Sequence, residues 1–272
     1  MAAQLALHVP FAQMNEIRHL VEAMPPTFRL GVLGGMGPLA TVDFLHKLVL
    51  STPAQRDQDH VPTVVWNVPQ IADRQQAIAG AGPSPLPQLL DAVAGLNQAG
   101  ATLIVMPCNT VHHWIEPLRR ASPAPLLHIV DATLEVLEQR HAGEDGAGRA
   151  ERCVGLVATK GALRARLYQD RLQQHGWRVL ENTSEELEQL FTPGCYAIKR
   201  NALDEGSALL EKAAAALAAR GARHLILACT EVPLALAHRQ SPLLGLSVDP
   251  NQALAWSVLR HWEAVQGAQG TT

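Results

Sequence analysis

Runs of like charge are absent from this 272-residue chain, and charged residues make up only 17% of it. With 22 basic and 25 acidic side chains and a net charge of −3, it offers no basic patch of the kind that nucleic acid or an anionic membrane surface requires. No apolar run is long enough to span a bilayer, and no basic region followed by an apolar block opens the chain. The expectation is a soluble, cytosolic protein. Four cysteines in a chain of this length do not make a disulfide framework, and free thiols are expected in a reducing compartment. There is no Cys-x-x-Cys loop and no ligand cluster with zinc-like spacing.

Hydrophobic residues are plentiful at 47%, enough for two cores, and the length suits two domains. Short apolar runs alternate with helical patterns. Leu103–Ile104–Val105–Met106 leads into Pro107–Cys108–Asn109–Thr110, and Leu225–Ile226–Leu227–Ala228 leads into Cys229–Thr230–Glu231. Each follows an alanine- and leucine-rich segment closed by Gly-Ala, at Gly100–Ala101 and Gly221–Ala222, and each cysteine lies eight residues after its glycine. Upstream, Gly31–Val32–Leu33–Gly34–Gly35 and Gly155–Leu156–Val157–Ala158–Thr159 are both strand-then-turn openings. Two similar halves are implied, each with one thiol at the carboxyl end of a strand.

Further expectations follow from the pattern. Residues 1–28 carry Phe11, Met14, Ile17, Leu20, Val21 and Met24 at helical spacing, a helical extension. Residues 29–130 with 248–266 form the first α/β domain, and residues 131–247 the second. Strands are expected at Val64–Val68, Leu126–Val130, Val154–Val157, Arg178–Leu180 and Leu244–Val248, and a single helix over Leu163–Gln174. Gly143–Gly148 reads as an exposed loop, and Pro193–Gly194 as an interruption of a helix. Strands alternating with helices imply parallel sheets, whose ligands collect at the carboxyl ends of the strands. The glycine turn Gly34–Gly35–Met36–Gly37, with Pro38 opening a helix, suits a small carboxylate at least as well as a pyrophosphate, because the second strand ends without the acid of a dinucleotide site.

Cys153 and Cys195 read as packing. Cys108 and Cys229 stand at matched positions before helix-start polar residues, where a thiol has a lowered pKa. A Cys108–His112 metal pair lacks a counterpart at Cys229, and a redox disulfide lacks its short loop. The remaining reading uses the symmetry: two thiols facing one carbon, one removing a proton and the other delivering one to the opposite face, with neither metal nor cofactor.

Gly34–Gly35–Met36–Gly37–Pro38–Leu39–Ala40–Thr41, Pro69–Gln70–Ile71–Ala72–Asp73–Arg74, Met106–Pro107–Cys108–Asn109–Thr110 and Cys229–Thr230–Glu231–Val232 together resemble the aspartate racemases of the cofactor-independent aspartate/glutamate racemase superfamily. The resemblance implies two pseudo-two-fold parallel-sheet α/β domains with the active site between them, a homodimer, and Cys108 and Cys229 as the acid/base thiols. It implies a small acidic amino acid as substrate, aspartate or possibly glutamate. Met36, Gln70, Asn109, Thr110, Thr159, Thr230 and Glu231 would surround it, with Arg74 and Lys199 on the side-chain carboxylate. The family tyrosine four residues before that lysine is here Cys195, with Tyr196 three before. Broad-specificity racemases, hydantoin racemases, maleate isomerase-like proteins and a non-enzymatic carboxylate binder are the alternatives.

Overall fold

The computed structural model describes residues 28–144 and 151–269. The expected N-terminal helix and most of the Gly143–Gly148 loop lie outside the described residues.

The first half runs β1 (Leu30–Gly34), α1 (Pro38–Ser51), β2 (Thr63–Asn67), α2 (Arg74–Ala79), α3 (Leu86–Gln98) and β3 (Leu103–Val105). A 3-10 turn (Thr110–Trp114), α4 (Ile115–Ala121) and α5 (Ile129–Glu144) follow. The second half runs β4 (Cys153–Leu156), α6 (Lys160–Arg164), α7 (Gln169–Gln174), β5 (Arg178–Glu181), α8 (Ser184–Glu186), α9 (Thr192–Lys199) and α10 (Leu203–Ala219). It then continues through β6 (His224–Ile226), α11 (Glu231–His238), β7 (Ser247–Val248) and α12 (Pro250–Gln269). The sheets are entirely parallel, ordered β2-β1-β3 and β5-β4-β6-β7. A parallel bridge from Ile104 to Leu126 stands where β7 stands in the second sheet. Among the described residues no helix is long and apolar enough to cross a membrane.

Strand alternation builds three apolar layers. Leu30, Val32, Leu103 and Val105 of one sheet, and Val154, Leu156 and Ile226 of the other, enter one shared core completed by α1, α5 and α12. The opposite face of each sheet has its own core, with Leu33 and Ile104 in one and Val157 and Leu225 in the other. The two halves repeat down to single contacts. A Cβ on Gly31 would lie 2.8 Å from Ala101 Cβ and close to Leu96 and Ile104; on Gly155 it would meet Leu217, Leu225 and Ala222 at 2.9–3.2 Å. The three first-half partners and the three second-half partners are offset by one constant interval, 121 positions (96 to 217, 101 to 222, 104 to 225). Only glycine on β1 and β4 lets the helices that lead into β3 and β6 approach so closely.

Four expectations change. The Leu126–Val130 strand shrinks to the one bridge because α5 begins at Ile129, where His128 Nδ1 accepts from the Val130 amide at 3.2 Å. The late strand is only Ser247–Val248, since Pro242–Leu246 winds into a 3-10 turn. The helix over 163–174 breaks in two at Arg166, at φ 50°, and the Leu163 carbonyl there accepts from both the Arg166 amide and the Gln169 side chain. Pro193–Gly194 does not interrupt its helix. A π turn over Leu187–Phe191 widens the backbone just before it, so the missing proline N–H falls where the hydrogen-bond ladder is already rearranged.

Candidate active site

The loops after β1, β2, β3, β4 and β6, with the end of α9, converge on one narrow cleft. Met36, Asp73, Arg74, Gln75, Cys108, Asn109, Thr110, Thr159, Lys199, Cys229, Thr230 and Glu231 line it. Of the residues singled out in the sequence, Gln70 alone is left out. Its side chain is exposed, and its carbonyl accepts from Gln88 Nε2.

The glycine turn serves mainly to let neighbours close in. Gly35, at φ +94°, sits where a Cβ would come within 2.4–2.6 Å of the Val68 backbone, and a Cβ on Gly34 would strike Thr41. Thr41 Oγ1 in turn accepts from the Gly35 amide at 2.9 Å and donates to the Gly37 carbonyl. The turn thereby seats Met36 in the cleft wall, and its Gly35 amide is engaged rather than offered to an anion.

Cys108 is held from below by a histidine. The Ile129 amide donates to His112 Nε2 at 3.2 Å, so the ring is neutral and its Nδ1–H donates to the Cys108 carbonyl at 2.9 Å. Burial pushes the His112 pKa down to about 4, which agrees with that tautomer. With both ring nitrogens engaged, His112 has none to offer a metal beside Cys108. His113 is exposed.

Asn109 is oriented across the halves. Tyr168, fully buried just beyond the break at Arg166, donates its O–H to Asn109 Oδ1 at 2.5 Å. Thr133, 3.4 Å from the same hydroxyl, has its own proton on the Ile129 carbonyl, so the phenol proton belongs to Asn109. The asparagine therefore turns Nδ2 away from Tyr168, and that atom is buried without a partner. Thr110 and Thr159 also meet across the halves, Oγ1 to Oγ1 at 3.1 Å, while Thr159 caps α6 through the Ala162 amide.

Asp73 caps α2, accepting from the Gln75 and Gln76 amides at 2.7 and 3.1 Å. Although burial alone would raise its pKa, those amides hold it below the usual value. Arg74 donates Nη1 to the carbonyls of Ile71 and Ala72, which fixes the guanidinium and leaves Nε buried and unpaired. Tyr196 reaches back from the second half to Asp73 Oδ2 at 3.4 Å, and Lys199 Nζ lies 5.6 Å from the Tyr196 ring.

Cys229 has a more crowded setting. Its thiol donates to Glu231 Oε2 at 2.9 Å, and its sulfur lies 3.7 Å from that of Cys195. Lys199 Nζ stands 3.8 Å from Glu231 Oε1. The Cys195 contact, burial and the Glu231 charge push the Cys229 thiol well up, and Lys199 only partly offsets them. The lowered pKa expected at a helix N-terminus is thus overturned for Cys229, because its neighbours outweigh the dipole of the eight-residue α11. Burial would lower the Lys199 pKa, but Glu231 and the two thiols raise it on balance. Cys195, Cys229 and Glu231 place ligand atoms within 4.8 Å of one another, but the Lys199 ammonium beside Glu231 opposes a second cation there.

Sequence reasoning missed Tyr168 and the contact of Cys195 with Cys229. Both arise from packing between elements far apart in the chain and had no local signal.

Two repeated α/β halves with a thiol at each matched strand end, both lining one cleft, define a class of isomerases. The family-wide sequence pattern of the Asp/Glu/Hydantoin racemases matches residues 33–258, and the chain belongs to that family. It is therefore an isomerase. The broad-specificity amino-acid racemase RacX of Bacillus subtilis is 26% identical over 252 residues, covering 87% of this chain and 99% of its own. The aspartate racemase of Picrophilus torridus superposes with a TM-score of 0.74 at 26% identity, over 87% of this chain and 94% of that one. The glutamate racemase of Campylobacter jejuni shares the fold, with a TM-score of 0.57 at 17% identity over 85% of this chain and 84% of its own.

Proposed function

We propose that the protein interconverts L- and D-aspartate by passing the Cα proton between Cys108 and Cys229. The observation that carries this reading is one cleft that holds two matched thiols and two buried, unpartnered N–H donors, Asn109 Nδ2 and Arg74 Nε. Such donors are complete only when an acceptor arrives, and a dicarboxylate supplies two. Asn109 takes the α-carboxylate, and Arg74 with Lys199 takes the side-chain carboxylate. Cα then lies between the sulfurs.

One thiolate removes the Cα proton, and the opposite thiol protonates the planar carbanion from the other face. Because Cys229 holds its proton firmly, the enantiomer that presents its Cα–H to Cys108 meets a site already carrying the return proton. Glu231 accepts from that thiol and fixes its direction. The scheme needs neither pyridoxal phosphate nor a metal.

A broader substrate range is favoured by a second, roomier cavity that shares Asp73, Arg74, Lys199 and Glu231 with the cleft. Its walls include Leu39, Pro69, Ile71 and Ile198, so side chains longer than that of aspartate have somewhere to go.

Circular dichroism of L- and D-aspartate and glutamate incubations, with chelator and without pyridoxal phosphate, tests the activity. Cys108→Ala and Cys229→Ala should each abolish racemisation. In D₂O each should still exchange the α-proton of one enantiomer, and the two should choose opposite enantiomers. Full racemisation by both variants would sink the two-thiol reading.

A further inference from the structure

Cys195 lies outside the chemistry described above and does not line the cleft, yet its sulfur is 3.7 Å from that of Cys229. Close helix packing builds this contact. A Cβ on Gly194, the residue before Cys195, would come within 3.1 Å of the Gly206 carbonyl oxygen, and a Cβ on Gly206 within 2.8 Å of the Gly194 carbonyl oxygen. Two glycines thus let α9 sink onto α10 and set the depth at which Cys195 meets Cys229. Both thiols are buried and free. A disulfide bond needs the sulfurs at about 2.05 Å, so closure must bring these two together from 3.7 Å.

We propose that Cys195 and Cys229 are an oxidative modification site that closes to a disulfide when a hydroperoxide enters the cleft. Cys229 lines the cleft and meets the oxidant first. Its thiol passes its proton to Glu231 Oε2, the acceptor of its hydrogen bond, as the sulfur attacks the terminal peroxide oxygen; the O–O bond breaks, and the remaining peroxide oxygen leaves as water or an alcohol with that proton. Cys229 is then a sulfenic acid. The Cys195 thiolate attacks the Cys229 sulfur, the S–O bond breaks, and hydroxide leaves as water with the proton from Cys195. In sum, two thiols and one hydroperoxide give one disulfide and two molecules of water, or water and an alcohol. The sulfurs lose two electrons and the peroxide gains them. A dithiol reductant reverses the step. Capture by Cys195 also stops Cys229 at the sulfenic stage, short of the irreversible sulfinic acid.

The loss of racemisation on oxidation rests on the two-thiol reading; formation of the bond does not. The full chain is treated with one equivalent of hydrogen peroxide, its remaining thiols are blocked, and non-reduced digests are mapped by mass spectrometry. The expected result is a peptide cross-linked through Cys195 and Cys229, lighter by two hydrogens, which dithiothreitol opens with recovery of activity. In Cys195→Ala, two equivalents of hydrogen peroxide should add two oxygens to Cys229, and dithiothreitol should restore nothing. Cys195→Ser serves as the alternative variant should the alanine pack poorly. A map with no Cys195–Cys229 peptide, or with Cys229 joined to Cys108 instead, overturns the proposal whether or not the enzyme proves to be a racemase. So does full recovery of oxidised Cys195→Ala under dithiothreitol.

Discussion

Replacing Tyr168 with phenylalanine removes one oxygen that does not itself line the cleft, and on the proposed reading that oxygen bears on substrate binding through Asn109. The hydroxyl donates to Asn109 Oδ1 at 2.5 Å and so dictates which end of the amide faces the substrate. Without it, Oδ1 is a buried acceptor with no donor, which costs about 1–3 kcal/mol of stability. The amide can recover part of that loss by turning over. It then presents an oxygen to the α-carboxylate where a donor stood. A hydrogen bond to a charged group contributes about 1.5–3 kcal/mol, so losing it corresponds to a factor of about 10–150 in binding. Tyr168→Phe should therefore raise KM for aspartate by that factor, lower kcat much less, and lower Tm by several degrees. Asn109→Asp keeps the acceptor for Tyr168 but puts a carboxylate oxygen toward the substrate, and should raise KM further still. Steady-state kinetics in both directions, with thermal melts of each variant, make the measurement. A Tyr168→Phe enzyme with lowered Tm and unchanged KM would show the tyrosine to be a packing residue only.

Arg74→Ala should cut kcat/KM on aspartate at least tenfold with little change in Tm, since the guanidinium binds only its own loop carbonyls; an unchanged value removes Arg74 from the site. Lys199→Ala makes the same test of the side-chain carboxylate on the second half. Stability should fall in mild acid because two buried histidines resist protonation, His112 titrating at about 4 and His128 at about 2, burial being the main cause for both. Unfolded histidine binds its proton near pH 6.5, so the unfolded state carries more protons below that value. The stabilisation is complete above pH 6.5 and is lost as the pH falls, by about 1.4 kcal/mol per unit for each histidine, down to pH 4 for His112 and further for His128. Urea titrations at pH 7.5, 6 and 5 read this directly, and a flat profile across that range refutes it.

Much of this was legible in the chain because strand ends carry the chemistry in parallel α/β sheets. Cys108, Asn109, Thr110, Thr159, Cys229, Thr230 and Glu231 each follow a strand within a few residues, so finding the strands placed them on one rim. The repeat was legible because an alanine- and leucine-rich helix, a Gly-Ala pair and a strand ending in cysteine recur 121 positions apart. What stayed hidden depends on packing at a distance. The residues from Leu163 to Gln174 have an unbroken helical pattern, and only the left-handed turn at Arg166 sends Tyr168 into the core beside Asn109. Pro193 reads as a breaker unless the preceding π turn is known. Gln70 lies in the right loop, but its carbonyl is tied to Gln88 and its side chain stays in solvent.

The two halves match in backbone and differ in chemistry, and on the proposed reaction both properties are required. The two enantiomers exchange only the hydrogen on Cα, so the groups that add and remove it should be equivalent, and matched thiols on repeated strand ends provide that. The rest of the substrate is not symmetric. Its two carboxylates must stay in place while Cα inverts between the sulfurs, otherwise the carbanion could turn and lose its alignment with the second thiol. The neighbours of the thiols therefore have to diverge. The first half brings the donors of Asn109 and Arg74 to the cleft, one fixed by Tyr168 and the other by the carbonyls of its own loop. Beside Cys229 stand a carboxylate, an ammonium and a second thiol. A repeat that kept its side chains as faithfully as its glycines would supply both thiols and lose the means to hold the substrate between them.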